Sequence, residues 1–159
     1  METTIDLRDQ AGRQAPTPEG LRQAVINSDW RQALGEIVNV LEEDENETFA
    51  AQRAPDGSMW PPLAPYTIER KGHDTILQEL GLLVNSLTDS THPMAVREYQ
   101  DQGEEKSIKF GTRRPFAELH DQGTDRLPKR EFLGASDKAQ ERFEEIIDRH
   151  VMAVLAGEI

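Results

Sequence analysis

The chain contains no cysteine among its 159 residues. Disulfide staples and thiolate metal sites are therefore excluded, and four scattered histidines are the only nitrogen ligands, too dispersed for a structural zinc centre. No run approaches the ~20 apolar residues of a membrane-crossing helix. Met1–Asp6 also lacks the basic and apolar regions of a signal peptide, so the expected location is the cytoplasm of the cell that makes the chain, off the membrane. Positive charge is scarce: 18 Lys and Arg face 30 Asp and Glu, a net charge of -12 that weighs against general binding to nucleic acid phosphates. Catalytic signatures are missing too. There is no Gly-x-Ser-x-Gly elbow, His-Glu-x-x-His pair, phosphate-binding glycine loop or dinucleotide fingerprint. Ser86, Ser107, Glu118, His120 and Asp121 can be assembled into a hydrolase-like set on paper, but most chains of this length contain such residues. The expectation is a protein without catalytic residues, cofactor or metal.

What is present suits a folded protein. With 36% apolar and 30% charged residues and a mean hydropathy of -0.69, the chain can bury one domain's core. Residues 1–16 show no sustained periodicity and read as an N-terminal arm, leaving a single domain at 17–159. Thr17 is placed to cap a short helix that has Pro18 at its first position, until Asn27-Ser28 breaks it. From Asp29, the residues Trp30, Leu34, Ile37, Val38, Leu41 and Phe49 follow helical spacing, and this helix must stop before Pro55. Glu42, Glu43, Asp44, Glu45 and Glu47 crowd its later turns and read as a solvated face.

Further along, Thr67 to Lys71 reads as a turn. Leu82–Leu87, Met94–Tyr99 and Ser107–Phe110 read as three strands of an antiparallel meander. Ser136 or Asp137 opens a last helix, with Asp137 and Gln140 resembling a capping box, and Phe143, Ile146, Ile147, His150, Val151, Val154 and Leu155 form its apolar stripe. The class is α+β, a small antiparallel sheet with the long N-terminal-half helix and the C-terminal helix on one face.

Three spaced motifs stand out. In Pro55-Asp56-Gly57-Ser58-Met59-Trp60-Pro61-Pro62-Leu63, Asp56-Gly57 signals a turn and the prolines forbid a helix, so Trp60 and Leu63 are read as anchors of a stiff loop on the core. In Phe116-Ala117-x-x-His120-x-x-Gly123, one helical turn sets the Phe116 ring and the His120 imidazole on the same side, and Gly123 permits a tight exit. His120 is read as packed and hydrogen-bonded. In Pro128-x-Arg130-x-Phe132-Leu133-Gly134, an extended segment carries Arg130, read as the partner of an acidic residue of this or a neighbouring copy.

Charge is also unevenly spread. Lys106, Lys109, Arg113, Arg114, Arg126, Lys129 and Arg130 face only Glu118, Asp121 and Asp125 between Lys106 and Arg130, giving that segment +4 and the rest of the chain -16. These cations are candidates for one subunit or partner surface, and Glu42, Glu43 and Glu45, or the stretch from Asp101, for its counterpart. Ordinary scatter over a solvated surface is the plain alternative.

Phe49, the Pro55 to Leu63 loop, Thr67, Lys71, Ile76-Leu77, Gly81-Leu82-x-x-x-Ser86-Leu87, Gly111, Phe116 to Gly123 and Arg130-x-Phe132-Leu133-Gly134 occur in an order and spacing that together resemble the phage virion morphogenesis family, the tail completion proteins of Mu-like tailed phages. The resemblance covers Phe49 to Leu155, and the long first helix agrees in character only. Phe116 stands where the family often has tyrosine, and Asp101-Gln-Gly-Glu-Glu-Lys106 reads as a longer connection between strands. The resemblance makes Asp56, Gly57, Trp60, Pro61, Leu63, Gly81, Ser86, His120, Gly123, Phe132 and Gly134 fold-defining. It implies a structural virion protein at the head-proximal tail end, assembling as a homo-oligomeric, hexameric ring between the tail tube and the neck or connector proteins. Genomic DNA would only pass through. A head-side connector or adaptor is the alternative, and a small cytosolic enzyme or regulator the remote one.

Overall fold

A computed structural model describes residues 17–159, so the arm expected at 1–16 lies outside the described residues. The first helix, α1 (Pro18–Asn27), begins as the sequence requires: Thr17 accepts from the Gly20 amide at 3.1 Å, and Pro18, which has no amide to leave orphaned, sits in the first turn. Its exit is closed by the Ser28 hydroxyl donating to Val25 O. The chain then turns at Asp29 into α2 (Arg31–Ala51), which ends at Gln52 in the left-handed region, φ 53°.

Next come α3 (Pro65–Lys71) and α4 (Leu82–Thr88), followed by an antiparallel hairpin, β1 (Ala95–Gln102) and β2 (Glu105–Thr112). The short α5 (Ala117–Gln122) precedes the long closing helix α6 (Asp137–Ala156). The α+β class holds, with a two-stranded sheet.

Several expectations are corrected. Thr67 to Lys71 belongs to a helix, because Pro65 starts α3 and Gly72, at φ 77°, ends it. Leu82–Leu87 is also helical: an apolar run this short is ambiguous in period, and Leu83, Val84 and Leu87 meet the core at helical spacing. Within it, the buried Ser86 hydroxyl donates to Leu83 O and lies 2.7 Å from the Thr112 hydroxyl of β2. Asp101 to Lys106 is no long connection, since Gln102 pairs with Glu105 and only Gly103, at φ 55°, and Glu104 form the turn. The last helix is capped by Ser136, which accepts from the Ala139 amide at 3.2 Å, so Asp137 is the first helical residue and no Asp137 capping box forms. Finally, α6 packs on α2 and α1, and it is α2 and α4 that contact both strands.

The helix α2 serves two apolar clusters. Its first half joins Trp30, Ala33, Leu34 and Val40 to Ala139 and Ile146 of α6. His150 closes this end, its ring 4.2 Å from that of Trp30 and its Nε2 3.0 Å from the Ser28 hydroxyl. At the other end, Phe49 meets Trp60, Ile76, Leu87, Ala117 and Phe132, with Trp60 edge-on to Phe49 at 5.4 Å.

The acidic turns of α2 lie between those clusters in sequence, and they are not a solvated face. Glu42 accepts from the Arg97 guanidinium at 3.1 Å, and Asp44 accepts from the Ser136 amide at 2.8 Å and from its hydroxyl. Glu45 is only 1% exposed, and neither carboxyl oxygen has a hydrogen-bond partner. Burial is the main cause that pushes its carboxyl up to about 9, with the charges of Asp44 and Asp121 acting the same way. The nearby Gly134 amide and Arg97 oppose that shift, although the amide is outside hydrogen-bonding geometry. Of these acids Glu43 and Glu47 are the exposed ones, paired with Arg142 and Lys138 of α6 at 2.6 Å each.

Candidate interaction surface

The three motifs converge on one side of the Phe49 cluster. Trp60 is buried, and its indole N–H donates to Glu131 O at 2.7 Å, which fastens the proline loop to the 128–134 segment. Arg130 completes the clasp from the other strand of chain: its Nε donates to Pro61 O at 2.9 Å and its terminal nitrogen to Pro62 O at 3.0 Å. Both carbonyls belong to residues that cannot offer an amide, so a long cationic fork supplies what a backbone ladder would. Arg130 is buried and bonded to carbonyls, not paired with a carboxylate as the sequence suggested, and this burial lowers its tendency to hold the proton.

The short helix α5 is held against the same segment. Asp121 accepts from the Phe132 and Leu133 amides at 2.9 and 3.0 Å, and the Arg130 amide donates to His120 O at 2.9 Å. Gly123 turns out of α5 at φ 76°, and a Cβ there would stand 2.7 Å from the Lys129 backbone nitrogen. Gly134 is similarly confined, with a Cβ position 3.0 Å from the Pro55 ring. His120 is packed as expected, but its Nδ1 is buried without a partner, which corrects the hydrogen-bonded reading; burial first, and Arg130 second, lower its pKa. Asp56 caps the loop's turn through the Ser58 amide at 2.8 Å, and Gly57 takes φ 84°. Leu63 packs on the cluster's edge, and Gly81, at φ 68°, opens α4.

These joints raise the wall of an open groove of about 450 Å³ between α3, α4 and α5. Leu80 and Phe116 stand at it 77% and 71% exposed, and Leu82 is also exposed. Phe116 does share a side with His120, but it caps α5 at φ 67°, and Leu77, also on the groove, takes φ 58°. Left-handed backbone is uncommon in residues with a side chain, so two such residues bordering one groove mark strain held by the surrounding fold. The basic residues Arg70, Lys71 and Arg114 line it as well, with one acid, Glu79, which pairs with Arg70 at 3.5 Å.

The other candidate interface cations are spread apart. Lys109 and Arg113 reach Glu98 on the hairpin at 3.5 and 3.3 Å, Lys129 pairs with Glu131 at 2.6 Å, and Arg126 is exposed in the loop after α5. Lys106 is tied to Asp101, whose carboxylate is held below its usual range first by that bond. Asp101 also accepts from the Trp30 amide at 3.1 Å, joining the hairpin to the start of α2. Arg130, Glu42 and Glu45 are therefore internal, Lys106 is largely covered, and Lys109, Arg113, Arg114, Arg126, Lys129 and Glu43 remain as surface candidates.

Two residues hold the fold in ways the sequence did not suggest: Arg97 was not singled out, and Asp121 was noted only beside His120 and in the charge count. Arg97 sends its guanidinium to Glu42, Val96 O, Gly111 O and Leu87 O, 3.9 Å from the centre of the Phe110 ring, and Asp121 binds the two amides above. For Arg97 the available signal was a lone cation between apolar and aromatic strand residues, Val96 and Tyr99. No group of His, Asp and Glu among the described residues is arranged to hold a metal ion, and no described helix is long and apolar enough to cross a membrane.

Fold and surface together define a small α+β domain in which motif side chains lock loops to the core and leave an apolar groove bordered by basic residues and by two residues at positive φ. The chain belongs to the phage virion morphogenesis family, whose sequence model matches residues 18–152. The match takes in α1 and α2, which the motif-based resemblance from Phe49 onward did not. No curated protein and no solved structure matches the chain. Membership gives the protein a role in building the phage virion.

Proposed function

We propose that the protein completes or terminates the phage tail at its head-proximal end and joins it to the filled head, acting there as a hexameric ring of identical copies. The observation that carries this reading is the family match, which spans every described element except the last turn of α6. Its neighbours are the tail tube on one side and neck or connector proteins on the other. Copies in a ring meet through two different surfaces, and the chain offers unlike ones, a groove lined by Arg70, Lys71 and Arg114 and the exposed acids Glu144 and Asp148 of α6. A net charge of -12 also suits a passage through which DNA moves without adhering. The protein is assembled in the host cytoplasm and remains in the virion.

Deletion of the gene from the phage tests the placement. Full heads accumulating beside separate tails, of finished or excessive length, are expected, with virions restored by a supplied copy. Empty heads or missing tail tubes would place the protein elsewhere, including on the head side.

A further inference from the structure

The groove between α3, α4 and α5 has a counterpart on the same chain. Along α6, Glu144, Asp148, Met152 and Leu155 follow one another at three or four positions, Ile147 flanks them, and all five are exposed, although Ile147 and Leu155 were expected in its apolar stripe. Met152 is 65% exposed, and neither Glu144 nor Asp148 forms an ion pair among the described residues. This is a helix face with acid at one end and apolar side chains at the other. The groove presents the converse, with Leu80 and Phe116 exposed beside Arg114 and Lys71; Lys71 is bound only to Thr75 O, and Arg114 meets no carboxylate among the described residues. Within one copy the two cannot meet, because α6 is packed on α2 and α1.

The geometry points to the groove of one copy receiving the exposed α6 face of the next, Met152 and Leu155 against Leu80 and Phe116, Glu144 and Asp148 toward Arg114 and Lys71. An amphipathic helix laid in an apolar groove is a recurring mode of recognition, and charge of opposite sign sets its direction. The contact joins two unlike surfaces, so each added copy leaves one of each unfilled and the series ends only by closing into a ring. Leu77 and Phe116, both at positive φ, border the groove that receives the partner. The inference rests on the self-assembly contained in the proposed function.

Because the chain lacks cysteine, thiols can be placed at will. The full-length Leu80→Cys/Met152→Cys variant treated with a short bismaleimide should give a ladder of covalent multimers. A mixture of the two single variants should stop at dimers, and each single variant alone should stay monomeric. In sedimentation, Arg114→Glu and Asp148→Arg should each weaken association about tenfold or more, and the combined variant should recover it. Multimers that form without a ladder, or single variants that cross-link to themselves, would overturn this contact and leave ring assembly standing. A protein that neither associates nor cross-links at its highest soluble concentration would overturn both. A ladder found together with empty heads in the deletion phage would instead retain the contact and refute the tail placement.

Discussion

Replacing Glu45 by glutamine should stabilise the protein, and by an amount that grows with pH. The carboxyl is 1% exposed, unpartnered, and pushed up from 4.5 to about 9. Between these values the folded protein keeps a proton that the unfolded chain releases, so rising pH favours unfolding. The contribution of this group is fully favourable below pH 4.5 and is lost as pH rises toward 9. Each unit of pH in that window is worth about 1.4 kcal/mol, so at pH 7 the ionisable side chain costs about 3 kcal/mol relative to its protonated form. Glutamine has nearly the same shape and cannot ionise. Urea unfolding of both proteins at pH 5, 6, 7 and 8 should show the stability difference widening by about 1.4 kcal/mol per unit in favour of Glu45→Gln. A difference that stays flat, or one favouring the wild type at pH 8, would mean that Glu45 is charged in the folded state, and the reasoning from its burial would fail.

Trp60→Ala removes a buried indole and its bond to Glu131 O, so a loss of about 3–5 kcal/mol and a fall in Tm of roughly 10 °C or more are expected by calorimetry. A Tm that barely moves would make Trp60 a binding residue instead. Arg130→Lys keeps the charge but cannot reach both proline carbonyls, and should cost about 2 kcal/mol in urea unfolding. Gly123→Ala and Gly57→Ala both place a side chain at positive φ, but only the first meets backbone, at 2.7 Å. Chemical denaturation should therefore show Gly57→Ala costing about 1 kcal/mol and Gly123→Ala clearly more.

How far these features could be seen in the residues depended on the range of the interaction. Thr17 and Ser136 cap helices through atoms three residues away; Thr17 was legible from local spacing, and the second cap was narrowed to Ser136 or Asp137. Trp60 was legible as an anchor because prolines on its C-terminal side leave the loop few conformations. Leu82 to Leu87 was not, since six residues fit either period and tertiary contact with Phe49 and Phe132 decided the matter. The fate of the α2 acids was hidden for a similar reason. Glu42 finds Arg97 55 residues away and Asp44 finds Ser136 92 residues away, distances over which no sequence pattern reports. Arg130 was misassigned because carboxylates are its usual partners, whereas two proline carbonyls brought close by Trp60 were available first. In the groove, Phe116 and His120 were visible as a pair, but its basic rim assembles from α3 and from Arg114, far apart in the chain.

The placement of the protein in the particle is the claim on which the rest of the functional account depends. Gold-labelled antibody raised against the purified protein, applied to intact phage and to isolated tails and viewed by electron microscopy, measures it directly. Label at a single point, where the tail meets the head, is the predicted result. Label along the tail tube, at the distal tip or over the capsid shell would contradict it.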